Sequence, residues 1–568
     1  MKEVQKLGWD YIDVIFFTGD AFVDHPSFGT ACIARYLEKH GYRVAVVPQP
    51  NWRDDLRDFR KLGAPRLYFA VNSGAMDSMV NHYTAGKRLR HDDAYTPDGR
   101  AGQRPDYAVS VYCGIIRKLW PGVPIVIGGI EASLRRLTHY DYWSDSLMPS
   151  ILVSSGADWL CYGMGERTML ELTRAFEVGM NLRQMEKIPQ LAFFRKGSCR
   201  TPDALVLHSH EECLNSRKAF AENFHNIETH ANMLHPQTIV EICGEGYVQV
   251  NPPLPPATTE EMDSFWDLPF TKRPHPRYKD RRIPAYDMIK DSIITHRGCF
   301  GGCNFCTIAA HQGKFIQSRS EDGILKEVRS LASDPDFHGN ISDLGAPTAN
   351  MYGMGGVNRE LCEVCRRKSC LYPAPCRNLD RSHERLLRLY ERVNAVKGIR
   401  HSYIGSGIRY DLFLDENGFV DASSRPYLKE LILRHTSGRL KVAPEHTREN
   451  VLAYMAKPSF KLFSRLRKEF DRINRDAGTH TELVPYFISS HPGCTQKDME
   501  ELAANPDLRG IWMDQVQDFM PTPMTTSSVM FYTGLDPRTM KPVFVERDPE
   551  KKMKQKSMFF KKNLPFRK

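Results

Sequence analysis

The chain has 568 residues, of which 41% are hydrophobic and 26% charged, and a formal net charge of +10. That length is too great for one hydrophobic core and implies two or three domains of ordinary soluble composition. With no apolar run long enough to span a bilayer and no apolar signal core at the N-terminus, a cytoplasmic location is expected, and the modest positive charge permits a nucleic-acid partner without requiring one.

Short apolar runs at residues 14–17, 43–47, 67–71, 124–127 and 159–162 read as strands. Helical segments at 30–40, 107–119 and 166–176 alternate with them, which predicts a parallel sheet with helices on both faces. The turns Gly128-Gly129 and Gly163-Met164-Gly165-Glu166 follow strand ends, where a doubly wound fold keeps its crevice. Residues 1–180 are therefore expected to form a Rossmann-like α/β domain. From 181 to 289 the periodicity weakens, and the proline-rich 252–256 and the run 272–279 read as an extended connection.

The alternation resumes over 290–535. Strand candidates end near Thr295, Leu344, Ile404, Val442, Phe487 and Val516, with helices expected at 320–331, 383–393, 427–435 and 460–473. Six such repeats fit a partial (β/α)6 barrel. A basic tail closes the chain over 536–568, and its last eighteen residues, 551–568, hold eight lysines and arginines and no acid. Met553, Met558, Phe559 and Phe560 lie near helical spacing there. A solvated, partly docked helix is the default reading and RNA binding the lesser one.

Cys299, Cys303 and Cys306 stand in the spacing C-x3-C-x2-C, just after the apolar β-branched run Ser292-Ile293-Ile294-Thr295. Three thiolates on one tight loop can hold three corners of a 4Fe–4S cube and leave the fourth iron open to a ligand. The loop should sit at the C-terminal end of a strand, where parallel α/β folds place their chemistry. A zinc site awaiting a distant fourth ligand is the competing reading, but such sites normally complete a tetrahedron with residues close by. Of the fourteen cysteines, seven fall between Cys299 and Cys376, which suits metal in a reducing compartment rather than long-range disulfides.

The stretch from Ser292 to Gly313, Ser-Ile-Ile-Thr-His-Arg-Gly-Cys-Phe-Gly-Gly-Cys-Asn-Phe-Cys-Thr-Ile-Ala-Ala-His-Gln-Gly, resembles the YgiQ family of radical S-adenosylmethionine (SAM) proteins. The segments 251–256, 261–263, 343–352 and 442–446 continue the match in order, and the likeness runs from about Asp13 to Gly534. The resemblance implies a 4Fe–4S cluster on Cys299, Cys303 and Cys306 and SAM on its open iron. It further implies reductive cleavage to a 5′-deoxyadenosyl radical that abstracts hydrogen from an unknown substrate, with a flavodoxin or ferredoxin as electron donor. Gly345 and Pro347, on a strand end like those that bind the methionine amino group, become candidate SAM contacts. So do Ser406, Arg409 and Glu445 on the two strand ends that follow, although Ser406 and Arg409 also read as an ordinary turn and Glu445 as a helix cap.

The first domain resembles a cobalamin-binding-type Rossmann domain. Asp24-His25-Pro26-Ser27-Phe28-Gly29 departs from the D-x-H-x-x-G spacing that ligates cobalt, so a domain without corrin is the favoured reading and His25 a loop or interface residue. Cys362, Cys365, Cys370 and Cys376 form a second group with short spacings, suited to zinc or an auxiliary cluster that staples a long insertion. Cys494 reads as incidental, and the proline-rich 518–525 as part of the barrel mouth. Two rivals stand beside the radical enzyme. One is a cobalamin-dependent methyl or methylthio transferase acting on RNA or a small molecule. The other is a non-catalytic iron–sulfur carrier or sensor, which would gain nothing from an open iron.

Overall fold

The computed structural model describes residues 2–199, 201–511 and 515–561. Nine strands form one large sheet: β1 Val14–Thr18, β2 Val44–Pro48, β3 Tyr68–Asn72, β4 Ile125–Gly128, β5 Trp159–Cys161, β6 Leu191–Lys196, β7 Leu205–Val206, β8 Ile239–Cys243 and β9 Gly246–Val250. Their spatial order is β2-β1-β3-β4-β5-β6-β9-β8-β7. The first five pair in parallel, as the strand–helix alternation implies. Their order reverses between β1 and β3, so a crevice opens there at the carboxyl ends of the strands.

The sheet does not stop at residue 180. β6 runs antiparallel to β5, and the β8–β9 hairpin adds on beyond it. Residues 191–250 are thus half of a sheet rather than an extended connection. Their signal is weak in the sequence because Glu241 and Gln249 lie buried on these strands, 1% and 6% exposed, and break the apolar runs. The extended connector is confined to the residues after Val250, interrupted by a helix at Thr259–Trp266.

Six further parallel strands follow: β10 Ser292–Ile294, β11 Asp343–Gly345, β12 His401–Ser402, β13 Arg439–Glu445, β14 Glu482–Ser489 and β15 Gln515–Asp518. β10 pairs with β11, and the lead-in Asn340–Ile341 pairs with β12. An isolated bridge between Ile408 and Val442 carries the order to β13, which pairs with β14 and then β15. Among the described residues β15 does not pair back to β10, so the barrel is partial. A helix follows each strand, at Glu321–Ala332, Glu384–Asn394, Ser424–Arg434, Phe460–Ala477, Gln496–Ala503 and Thr526–Thr533. Ile293, Leu344, Val442 and Phe487 fill the barrel core almost without exposure. Each such side chain contributes roughly 1.5–3 kcal/mol by leaving water.

The C-terminal helix Pro549–Lys561 docks rather than floats. Phe559 is buried with its ring 5.5 Å from that of Phe487, and Lys552 and Gln555 are buried beside it. The rest of the basic tail, residues 562–568, lies outside the described residues.

Candidate active site

The first cysteine loop leaves the end of β10 and is held from three sides. Asn304 is fully buried; its N–H donates to the Met455 carbonyl (3.0 Å), its amide to the Tyr454 carbonyl (2.7 Å), and its carbonyl accepts from Ser527 (2.9 Å). Gly298 has a φ of +90°, and a Cβ there would lie 2.3 Å from the Phe315 carbonyl oxygen, so only glycine fits this turn. At Gly301 a Cβ would meet the Arg409 guanidinium at 2.5 Å and the Cys299 sulfur at 3.3 Å. The absent side chain is what lets Arg409 approach the thiols.

Arg409 donates to the Cys303 sulfur (3.3 Å) and is clamped by Asp411 through two bonds of 2.9 and 2.5 Å. Burial opposes the Arg409 charge, but Asp411 and the thiols of Cys303 and Cys299 outweigh it and hold its pKa well above the usual value. Cys299 accepts from the Gly301 N–H at 3.4 Å and lies 3.4 Å from the Thr348 hydroxyl. Burial raises the Cys299 thiol, and burial with the neighbouring Cys303 and Cys299 thiols pushes Cys306 up to about 12. Among the described residues no three His, Cys, Asp or Glu side chains already stand at metal-holding separations. What fits an iron–sulfur core is the donor set: three thiols on one loop, a glycine cradle and a buried cation beside them.

The other expected contacts fall on the neighbouring strand ends. A Cβ on Gly345 would meet Asp343 at 2.3 Å and the Ser406 hydroxyl at 2.6 Å, so β11 and the β12 loop are tightly joined there. Ser406 is held by Asp343, which accepts its N–H (3.1 Å), its hydroxyl and the Gly405 N–H (2.9 Å). Pro347 is half-buried on the bend that leads into Thr348. Glu445 ends β13 at a φ of +68°, unusual for a residue with a side chain, and is buried 3.8 Å from the Lys457 ammonium. It does not cap the next helix, Glu449–Met455, which has no side-chain cap. Burial raises the Glu445 carboxyl, and its charge acts on Cys306. Arg409 thus faces the cysteines rather than standing free for a ligand. Asp343, Thr348 and Asp411 are the residues that sequence reasoning passed over.

The four-cysteine insertion packs directly beneath this loop. The Cys370 N–H donates to the Phe300 carbonyl (3.0 Å), and the Ser369 hydroxyl to the Gly301 carbonyl (2.8 Å). Lys368 bridges Asn304 (2.7 Å), Thr526 (2.6 Å) and Glu228, the last on a helix of the N-terminal half. Burial lifts the Cys370 thiol to about 11; Lys314 opposes this, and Cys376, Cys365 and Cys362 add to it. Lys314 lies 3.9 Å from the Cys365 sulfur. All fourteen cysteines are free thiols. Cys494 is buried 3.5 Å from His446 and serves packing.

The N-terminal crevice meets the same loop. Arg297, three residues past the end of β10, pairs with Glu166 at 2.6 Å, both buried. A cavity of about 280 Å³ lies at the ends of β1, β3, β4 and β5, lined also by His311 and Gln312. His25 is buried outside that lining and accepts from the Ser27 N–H at 3.1 Å.

Comparison with known proteins places these features in a family. A profile described as "Radical SAM N-terminal" matches residues 1–292, and one for a domain of unknown function, DUF3362, matches 514–563. A UPF0313 protein of Bacteroides thetaiotaomicron is 53% identical over 98% of this chain and 93% of its own length. UPF0313 proteins of Porphyromonas gingivalis and Methanocella arvoryzae are 51% and 44% identical, over 98% and 99% of this chain and 89% and 92% of theirs. Among solved structures, the radical SAM methyltransferase TsrM from Kitasatospora setae with cobalamin and a 4Fe–4S cluster bound aligns with a TM-score of 0.47 and 16% identity, covering 87% of this chain and 70% of that one. Among the described residues no helix is long and apolar enough to cross a membrane. The chain belongs to the UPF0313, or YgiQ, family of radical S-adenosylmethionine proteins.

Proposed function

We propose that this chain is a radical SAM enzyme whose cluster is held by Cys299, Cys303 and Cys306, with SAM on the open iron against the strand ends of Gly345, Ser406 and Glu445. The observation that carries the reading is the buried guanidinium of Arg409, clamped by Asp411 and aimed at Cys303 through the gap left by Gly301. Bound there, the cluster supplies the one-electron chemistry that cleaves SAM reductively. The chain's own residues do the rest. Arg409 offsets thiolate charge, and Asp343 fixes the Ser406 turn. Phe300, 3% exposed, and Phe305 keep water from the loop. Pro347 and Thr348 set the approach of β11 to Cys299.

Cys362, Cys365, Cys370 and Cys376 would hold zinc or a second cluster that fastens the insertion under the first loop. The corrin-dependent alternative has less support, because the crevice is only about 280 Å³ and His25 does not line it. Anaerobic reconstitution with iron and sulfide, followed by dithionite and SAM, tests the proposal. Release of 5′-deoxyadenosine that disappears in Cys303→Ala is expected. A full cluster with no release from the intact chain, or release that persists in Cys303→Ala, would overturn it.

A further inference from the structure

A cavity of about 940 Å³ with a strong excess of cations lies at the barrel mouth. Its walls include the ends of β14 and β15 at Ile488 and Asp518, Phe305 of the first cysteine loop, the N-terminal segments around Lys87 and over 140–145, Phe531 on the helix after β15, and the C-terminal helix with the Arg547 that precedes it. Six cations line it, Lys87, Arg88, Arg90, Arg547, Lys552 and Lys556, against two carboxylates, Asp145 and Asp518.

Both carboxylates are already engaged. Asp145 accepts from the Tyr140 hydroxyl (2.5 Å), and Asp518 from Ser489 (2.6 Å) and from Lys556 (3.3 Å). Among the described residues the side chains of the other five cations hydrogen-bond only to neutral groups. Lys87 donates to the Trp143 carbonyl (3.3 Å), Arg90 to the Tyr83 carbonyl (3.2 Å), and Arg547 to the carbonyls of Phe531 and Tyr532 (2.7 and 2.8 Å). Arg88 reaches the Met553 sulfur at 3.8 Å. Lys552 is only 8% exposed, and among the described residues its ammonium hydrogen-bonds only the Tyr142 hydroxyl at 3.4 Å and lies over the faces of Tyr142 and Phe531, with the Asp518 and Glu546 charges favouring it from further off. A buried ammonium with no anion in hydrogen-bond contact is costly to keep charged, and a cavity lined mainly by one sign of charge concentrates counter-ions. Tyr140, Tyr142, Phe519 and Phe531 add flat apolar surface between the cations.

We propose that this cavity is the substrate site and that it takes a phosphorylated small molecule carrying a planar ring, of nucleotide size. The phosphates sit among Lys87, Lys552 and Arg547, and the ring against the aromatic wall, next to Phe305 between Cys303 and Cys306. The C-terminal region that bears the DUF3362 match supplies Arg547, Lys552 and Lys556, and so sets substrate charge. The volume lies within the roughly 300–1,000 Å³ of small-molecule sites. The inference rests on the cluster reading above for the site's chemistry, but its test does not.

Calorimetric titration of the purified full-length chain, without SAM or reductant, uses uridine 5′-diphosphate, inorganic pyrophosphate and uridine as probes. Uridine 5′-diphosphate should bind saturably, at least tenfold tighter than pyrophosphate or uridine, and weaken as salt rises. Lys552→Met and Lys87→Met should each lower its affinity tenfold or more, whereas Lys218→Met, remote and paired with Glu222 (3.6 Å), should leave it unchanged. If Lys552→Met does not fold, the exposed Lys87→Met decides alone. No saturable binding of either phosphate, equal binding of uridine and its diphosphate, or affinity indifferent to the cavity lysines would overturn the proposal. Cleavage of SAM by a chain that ignores phosphates would refute this inference and leave the cluster reading standing.

Discussion

Two openings in this molecule lie at the carboxyl ends of parallel strands, and they treat charge in opposite ways. Around the N-terminal crevice three buried arginines are matched internally. Arg104 pairs with Asp20 and Asp93 at 2.8 and 3.0 Å, Arg135 with Asp77, and Arg297 with Glu166. The barrel mouth leaves thiols gathered beside one guanidinium, and next to them five cations with no carboxylate partner among the described residues. The same strand-end geometry therefore reads as architecture in one place and as a ligand site in the other. What separates them is whether the fold satisfies its own buried groups or leaves them for something else to satisfy.

The largest stability effect should come from breaking the crevice. Arg104→Met strips two buried carboxylates of their partner and should cost about 3–5 kcal/mol in denaturant unfolding, with SAM cleavage per folded chain unchanged. At the mouth the order inverts. Arg409→Gln leaves the single buried carboxylate of Asp411 without its partner and should cost some stability too, but per folded chain it should lower 5′-deoxyadenosine release about 10–100-fold, because the group that orients and offsets the thiolates is gone. Cys365→Ser, in the insertion, should lower bound zinc or iron tenfold or more and lower the melting temperature. It should leave the SAM-dependent chemistry in place, which would set the second thiol group apart as a staple.

A smaller effect concerns the buried acid of the sheet. Burial pushes the Glu241 carboxyl up to about 7, although the Thr138 N–H donating at 2.8 Å works the other way. Its folded value therefore lies above the unfolded one, and the stability of the neutral acid is complete below about pH 4.5 and lost as pH rises through 7. Glu241→Gln should be nearly neutral at pH 4.5 and stabilising by about 3 kcal/mol at pH 8, measured by urea titration at both values.

Much of this was legible in the residues alone, and the failures have physical causes. The strands expected at 14–17 and 67–71 form as Val14–Thr18 and Tyr68–Asn72, and the helix expected at 320–331 forms as Glu321–Ala332, because clean apolar periods mark them. The antiparallel half of the sheet was missed because buried Glu241 and Gln249 disguise its strands. In the site, spacing alone named the cysteines. It could not show that Arg409, more than a hundred residues later, turns toward Cys303, or that Ser406 is held by Asp343. Those contacts follow from strand order, which local pattern does not encode. Partial docking of the C-terminal helix was legible in the spacing of Met558 and Phe559, but the burial of Lys552 was not, since it reads as surface until the barrel mouth encloses it.

The central claim is that the first three cysteines, and not the other four, hold a cluster open to SAM. Electron paramagnetic resonance of the reconstituted, dithionite-reduced chain tests it most directly. The account requires a reduced 4Fe–4S signal that shifts when SAM is added, disappears in Cys299→Ala, Cys303→Ala and Cys306→Ala, and survives in Cys365→Ser. The absence of any signal that responds to SAM, or a SAM-responsive signal that persists without Cys303, would contradict it.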